Sequence, residues 1–346
     1  MGDSTSYIDG GSNRDRVSQR LRILAASLAV AAALALPVVA GSPVGAASCD
    51  TWTGKASQDW STAANWSAGV PNTQLVACIP ATHGTAVVVA SKAVTAASLT
   101  IGAGSQMSLA AAASLTTRGA VAVSGTLALI GHTAFVRAPT VSVMHGGTLS
   151  GEGQITGNLT NDGSVVVVDS GSGTPLRIRG TYTQSAQASL LSRDEAGSFT
   201  QLSAQRASLS GSLNLLILDA LKPGTHYTIV NAPSITGKFR QTLGYVYTYA
   251  SGRVVAVVTT QIQVSPTRVA AGGHLTIGGA SFGYLGAVQL HLDTAKGPVI
   301  GSGNVTSVGF FQTVARIPTG TTAGKHKVVA INTAHGFEAS AEFTVT

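Results

Sequence analysis

Charge, aromatic residues and sulfur are all scarce in this chain of 346 residues. Charged residues make up 10% of it and aromatics 5%, and it has two cysteines. Too few basic and stacking residues, with no Lys/Arg cluster, argue against a nucleic-acid groove, so no nucleic-acid partner is expected. The eight histidines are scattered, without a His-x-His or HExxH pattern that would hold zinc. No Gly-x-Ser-x-Gly elbow stands in a strand-to-helix context, and no Gly/Asp nonapeptide announces a calcium-binding roll. Gly102-Ala103-Gly104 and Gly151-Glu152-Gly153 lie between strands, as corner glycines and not phosphate loops. No cofactor and no metal site are expected.

What is abundant is Gly, at 41 residues, and an apolar fraction of 44% arranged in short alternating runs. From Val94 to Tyr182 these runs include Ser98-Leu99-Thr100-Ile101, Ala120-Val121-Ala122-Val123 and Thr140-Val141-Ser142-Val143. Alternation of apolar and small polar residues gives each run one apolar face, the signature of a half-buried strand. The runs follow too closely for helices to fit between them. Such spacing implies a sandwich, a barrel or a solenoid of stacked coils.

The chain opens with a leader. Arg14, Arg16, Arg20 and Arg22 precede an apolar run from Ile23 to Leu36, and small residues follow Pro37. Residues 1–47 are expected to be a secretory signal peptide, the alternative being a retained anchor. Met1-Gly2 with Ser6 fits a myristoylation pattern that a following leader makes accidental, and Ala46-Ala47-Ser48-Cys49 only loosely fits a lipobox. Beyond residue 40 the chain keeps 17 basic and 11 acidic residues, a mild positive balance suited to attraction toward anionic cell-wall polymers. After signal cleavage no membrane contact is expected, and the localisation expected is secreted or cell-wall associated. Cys49 and Cys78, an even pair in an exported chain, are expected to form a disulfide.

All three tryptophans lie between those cysteines, in Trp52-Thr53-Gly54, Asp59-Trp60-Ser61 and Ala64-Asn65-Trp66-Ser67, followed by Gly69-Val70-Pro71. This pattern resembles the opening segment of secreted bacterial β-solenoids of the autotransporter-passenger type, although Asn72-Thr73-Gln74 replaces their usual Gly-Asp-Thr. Residues 48–85 are then expected to cap the open end of a solenoid, whose bare strand edges would otherwise invite association. The alternative for Trp52, Trp60 and Trp66 is a platform that stacks on sugar rings.

The line from Gly146 to Gly163 resembles the "G-x-L-x-G-x-G-x-I-x-G-x-L-x-N-x-G" run of passenger β-helices. Gly and Asn tolerate positive φ at corners, and Leu149, Ile155 and Leu159 are expected to point inward. Asn158 and Asn161 are candidates for ladders between coils. Residues 189–260 resemble the closing segment of the same proteins, and Tyr245, Tyr247 and Tyr249 alternate there on one face. Residues 86–260 are therefore read as solenoid. Residues 261–346 carry about seven strand signals. With Val264-Ser265-Pro266, the "G-x-x-L-T-I-x-G-x-x-F" run from Gly272 to Phe282 and the "A-G-x-H-x-V-x-A" run from Ala323 to Ala330, they resemble the IPT/TIG-like immunoglobulin-like modules of actinobacterial surface proteins.

The expected fold is all-β: a Trp-rich cap, a β-solenoid and an immunoglobulin-like sandwich. The expected function is non-catalytic, adhesion or binding of extracellular polysaccharide or cell-envelope polymer. The alternatives are a parallel β-helix hydrolase or lyase using Asp162 and Asp169, if these meet across neighbouring coils, and a purely structural envelope component.

Overall fold

The computed structural model describes residues 49–81, 87–169, 176–194, 202–217, 222–283 and 285–346. The expected signal peptide, residues 1–47, lies outside them, as do His83 and Glu195. The fold is all-β, and its one short helical turn is a 3-10 turn at Ala63–Asn65 among the described residues. No helix among those residues is long and apolar enough to cross a membrane.

The middle of the chain is a β-solenoid of about five turns. One face is a seven-stranded parallel sheet running from Val87–Ala90 through Gln106–Leu109, Thr126–Leu129, Thr148–Gly151, Ser164–Asp169 and Ser189–Asp194 to Ser212–Ile217. Two further faces belong to one larger sheet, in which long strands such as Phe135–Val143, Gln154–Asn161 and Leu176–Gln184 turn a corner. Register shifts between Arg137 and Thr140 and between Ile178 and Thr181 mark that corner.

Because the coils stack in register, side chains align in columns. Met107, Leu127, Leu149, Val165, Leu190 and Leu213 form one, and Leu99, Val121, Val141, Leu159, Tyr182 and Ala207 another. Every residue of both columns is buried, as is Ile155. Each Leu or Val so placed contributes roughly 1.5–3 kcal/mol of burial. Coil length varies, from 16 residues between Leu149 and Val165 to 25 between Val165 and Leu190. The strands hold register while the corners absorb the difference.

Two corners show why glycine is required. At Gly151, φ is 105°, and a Cβ would stand 1.9 Å from the Leu129 carbonyl oxygen. At Gly157, φ is 130°, and a Cβ would stand 1.8 Å from the Ala138 oxygen of the preceding coil. Both the backbone angle and the close approach exclude any side chain.

One rung replaces aliphatic packing with a polar cluster. Asn161 stands in register with Gln184, and both are buried. Tyr182 Oη donates to Gln184 Oε1 at 2.5 Å, and Gln184 Nε2 donates to the carbonyls of Ser210 and Ser212 at 2.8 and 3.0 Å. Asn161 Nδ2 donates to the Ser189 carbonyl at 2.9 Å. Asn161 therefore stacks on a glutamine, while Asn158 Oδ1 accepts the Thr181 N–H of the next coil at 2.9 Å. Neither stands in a ladder of asparagines.

Parallel winding continues to Ser234–Gly237, which pairs with Leu202–Leu209. The chain then changes to an antiparallel hairpin, Tyr245–Ala250 with Arg253–Val258, whose second strand pairs with His226–Asn231. Ser251 and Gly252 have φ of 49° and 73°, the two positive values of a tight I′-type hairpin turn. Tyr245 and Tyr247 point inward, and Tyr247 Oη donates to the Leu213 carbonyl at 3.1 Å. Burial pushes the Tyr247 phenol up to about 12, so it stays a neutral donor.

Residues 261–346 form a three-stranded and a five-stranded sheet. Ile277, Phe282 and Phe311 meet Val288, Leu290, Val328 and Phe343 in a core of their own. This region joins the solenoid through residues around Gly244. The Gly244 N–H donates to Gln261 Oε1 at 2.9 Å, and its carbonyl accepts from the Thr259 N–H at 2.9 Å and from Ser281 Oγ at 3.2 Å.

Candidate functional site

The residues singled out in the sequence gather at the N-terminal end. Cys49 and Cys78 form the disulfide, 29 residues apart with Cα atoms 5.8 Å apart. Closing a loop of that size contributes on the order of 3–4 kcal/mol. Strand Cys49–Thr51 pairs with Val76–Ile79, and Asp59 bridges to Val89, so this segment lies along two edges of the first coil.

Trp52, Trp60 and Trp66 are 5%, 0% and 5% exposed. Trp66 stands edge-on to both of the others, at 5.1 Å from Trp52 and 4.7 Å from Trp60, in the T-shaped geometry that aromatic pairs favour. Its indole N–H donates to the Trp60 carbonyl at 2.8 Å. None of the three rings presents a face to solvent.

The organising polar residue of this segment is Asn65, which the sequence marked only as part of a motif. It is fully buried. Its Oδ1 accepts the N–H groups of Ala56 and Ser57, each at 2.9 Å, and its Nδ2 donates to the Asp59 carbonyl at 2.9 Å. One side chain thus satisfies backbone groups of a loop whose sheet pairing is limited to the single bridge between Asp59 and Val89. Nearby, the buried Asp50 accepts from Ser67 Oγ and the Ala68 N–H at 3.0 and 2.8 Å.

The carboxylates considered for catalysis stand apart. Asp162 is exposed at one corner, and Asp169 ends the strand Ser164–Asp169 that leaves that corner. At strand rise this separates their backbones by about 20 Å. They lie on one coil and not across neighbouring coils. Arg177 and Arg179 face solvent. Among the described residues no three His, Cys, Asp or Glu side chains gather in a group able to hold a metal.

A cleft of about 580 Å³ lies where the parallel winding ends. Its walls are the strand Ser234–Gly237 with Lys238, and the hairpin turn from Tyr249 to Arg253. Gly252 permits the approach, since a Cβ there would stand 2.8 Å from the Ala232 oxygen. Lys238 and Arg253 are exposed, and Lys238 Nζ sits 5.7 Å from the centre of the Tyr249 ring. Tyr249 Oη accepts the Phe239 N–H at 3.0 Å, which fixes the ring. Burial raises the Tyr249 pKa against the opposing effect of that N–H, keeping the phenol neutral. Ser234 and Ser251 add hydroxyls to the lining, and among the described residues no carboxylate enters it.

Comparison with known proteins adds one match. Residues 51–156 match a family described as a domain of unknown function (DUF8693). That stretch runs from the tryptophan segment to the start of the strand Gln154–Asn161, so the similarity stops short of the cationic cleft. No curated protein matches the chain.

Sequence reasoning missed this cleft. Lys238 and Arg253 stand 15 positions apart, and the chain reversal at Ser251-Gly252 brings them to one site. The available signal was the Tyr row followed by Ser-Gly, a hairpin turn that would carry Tyr249 to the tip.

Proposed function

We propose that this chain is an exported, non-catalytic surface protein that binds an anionic extracellular or cell-envelope polymer through the cleft between Lys238 and Arg253. The observation carrying this is the lining: two cations, a fixed tyrosine face and serine hydroxyls, with no acidic group among the described residues to compete. Cations beside an aromatic face and hydroxyls suit a polymer that alternates negative groups with sugar or polyol units. The mild positive balance of the chain beyond its leader steers such a polymer in the same direction.

The remaining parts fit this role. We read residues 48–85 as a cap of the autotransporter-passenger kind, supported by the pairing of Cys49–Thr51 and Asp59 along two edges of the first coil and by the buried indoles. We read residues 261–346 as an immunoglobulin-like module, supported by two sheets across one core. The basic, apolar and small-residue leader supports export. A solenoid offers extended flat faces, on which a polymer-binding site at one end gains reach.

The test is co-sedimentation and calorimetric titration with polygalacturonate and with a phosphate-bearing wall polymer, across a salt series. Binding that weakens steeply with salt and drops at least about tenfold in Lys238→Ala and Arg253→Ala supports the proposal. Binding indifferent to both substitutions contradicts it. Release of reducing or unsaturated ends during incubation would point instead to a polysaccharide-cleaving enzyme.

A further inference from the structure

We infer that the chain has a second binding site of different chemistry, for a neutral glycan, in the cleft between the end of the solenoid and the three-stranded sheet of the C-terminal region. This goes beyond the cationic cleft and does not depend on it. The cleft, of about 360 Å³, is lined by Leu243, Gln263, Gly278, Thr306, Phe310 and Gln312 among others, none of them charged.

Phe310 is 41% exposed, and its backbone is held by the loop that carries it. The Thr306 N–H donates to the Phe310 carbonyl at 2.7 Å, and the Phe310 N–H donates to Thr306 Oγ1 at 3.1 Å. Gly309, between them, accepts the Phe282 N–H at 3.0 Å, which ties the loop to the core. A large apolar ring carried into water on a tied-down backbone is placed to cover an apolar ligand face.

The floor beside it is Gly278, with Gln263 and Gln312 in register on either side. Their neighbours Ile262, Ile277 and Phe311 are buried, so the two amides share the outward face, about 10 Å apart across two strand spacings. Gly278 has no structural need to be glycine. Its φ lies outside the left-handed region, and an added Cβ would meet only the Gln263 side chain, at 3.7 Å. Glycine inside a strand costs roughly 0.5–1 kcal/mol, and where packing and angle do not require it, it marks a place where another molecule comes close.

These parts define the ligand class. Each amide offers two donors and an acceptor, the set that pairs with adjacent hydroxyls. An exposed ring beside them covers the C–H face of a sugar. With no cation in the lining an acidic polymer or nucleic-acid backbone is not selected, and with no carboxylate a cationic ligand is not selected.

The test titrates the full chain with neutral hexasaccharides of glucose, xylose, mannose and N-acetylglucosamine by calorimetry, at low and high salt. Salt-independent binding of at least one is expected. It should weaken at least about tenfold in Phe310→Ala and similarly in Gly278→Val, whose side chain fills the floor, while Lys238→Ala leaves it unchanged. Absence of binding to all four overturns the inference, as does binding that both variants leave intact. Absence of neutral binding by the unsubstituted chain, with polyanion binding present, rejects this site and not the cationic one.

Discussion

The solenoid and the C-terminal region use the same alternating pattern of apolar and small polar residues, yet they close differently. In the solenoid each strand pairs with the one a coil away, so Leu127 meets Met107 and Leu149 and nothing more distant along its column. In residues 261–346 the pairing is antiparallel, apart from the two residues Arg268–Val269 that run parallel to Glu338–Val345, it reaches as far as Val288 with Asn332, and one core serves the strands. A rung is therefore a local unit supported by its neighbours, whereas the C-terminal core stands or falls together. What separates the two outcomes is the corner chemistry. Gly151 and Gly157 let one coil lie directly on the last, a contact the C-terminal sheets do not need.

That contrast can be broken most severely at a corner. Gly157→Val places a side chain against the Ala138 oxygen at an angle valine does not adopt, and should cost more than about 4 kcal/mol. Regional hydrogen exchange should show protection lost in the neighbouring coils and retained in residues 324–345. Equal loss in both regions would mean that they unfold as one.

Next in size is the disulfide. Replacing Cys49 and Cys78 together by serine should lower stability by about 3–4 kcal/mol in denaturant titration, with the loss confined to the N-terminal coils. A smaller effect is expected from Tyr182→Phe. It removes the donor to the buried Gln184 Oε1 while leaving the ring, and should cost about 1–2 kcal/mol by thermal unfolding.

The smallest effect sits in the C-terminal region. His326 Nδ1 lies 2.9 Å from Asp293 Oδ2 and its Nε2 2.9 Å from the Thr322 carbonyl, two acceptors that together call for the imidazolium. The hydrogen bond to Asp293 is the main cause that raises the His326 pKa, against burial, and the Thr322 carbonyl and the Asp293 charge add to it. For Asp293, burial acts upward, but the His326 and Lys327 N–H donors and the His326 charge outweigh it and lower the pKa. A raised histidine stabilises fully below its unfolded value of 6.5, and that stabilisation is lost as pH rises through the folded value. The lowered Asp293 stabilises above 3.8 and loses this as pH falls. Stability of the C-terminal region should thus be highest between these two values and decline above 6.5, a decline that His326→Gln abolishes in pH-dependent melting.

Much of the solenoid was legible in the sequence because its rules are local. Alternation marked Leu149, Ile155 and Leu159 as inward, and glycine marked the corners. The cysteine pairing followed from number and context. Other features were hidden because they depend on which coil lies above which. Asn161 meeting Gln184 needs a register that the irregular coil length conceals. The antiparallel turn at the end of the winding has the same sequence pattern as the solenoid, since a strand's alternation does not state its direction. The cationic cleft and the Phe310 cleft were invisible for the same reason: each is assembled by chain reversal from residues that carry no motif.

The parallel winding itself is tested most directly by distance measurements between spin labels along one outward column, Gln106, Thr126, Thr148, Ser164, Ser189 and Ser212. Stacked coils predict backbone separations from position 106 that grow in even steps of about 4.8 Å, reaching about 24 Å at position 212. Separations that fail to grow with coil number, or that fall back along the series, would contradict the account.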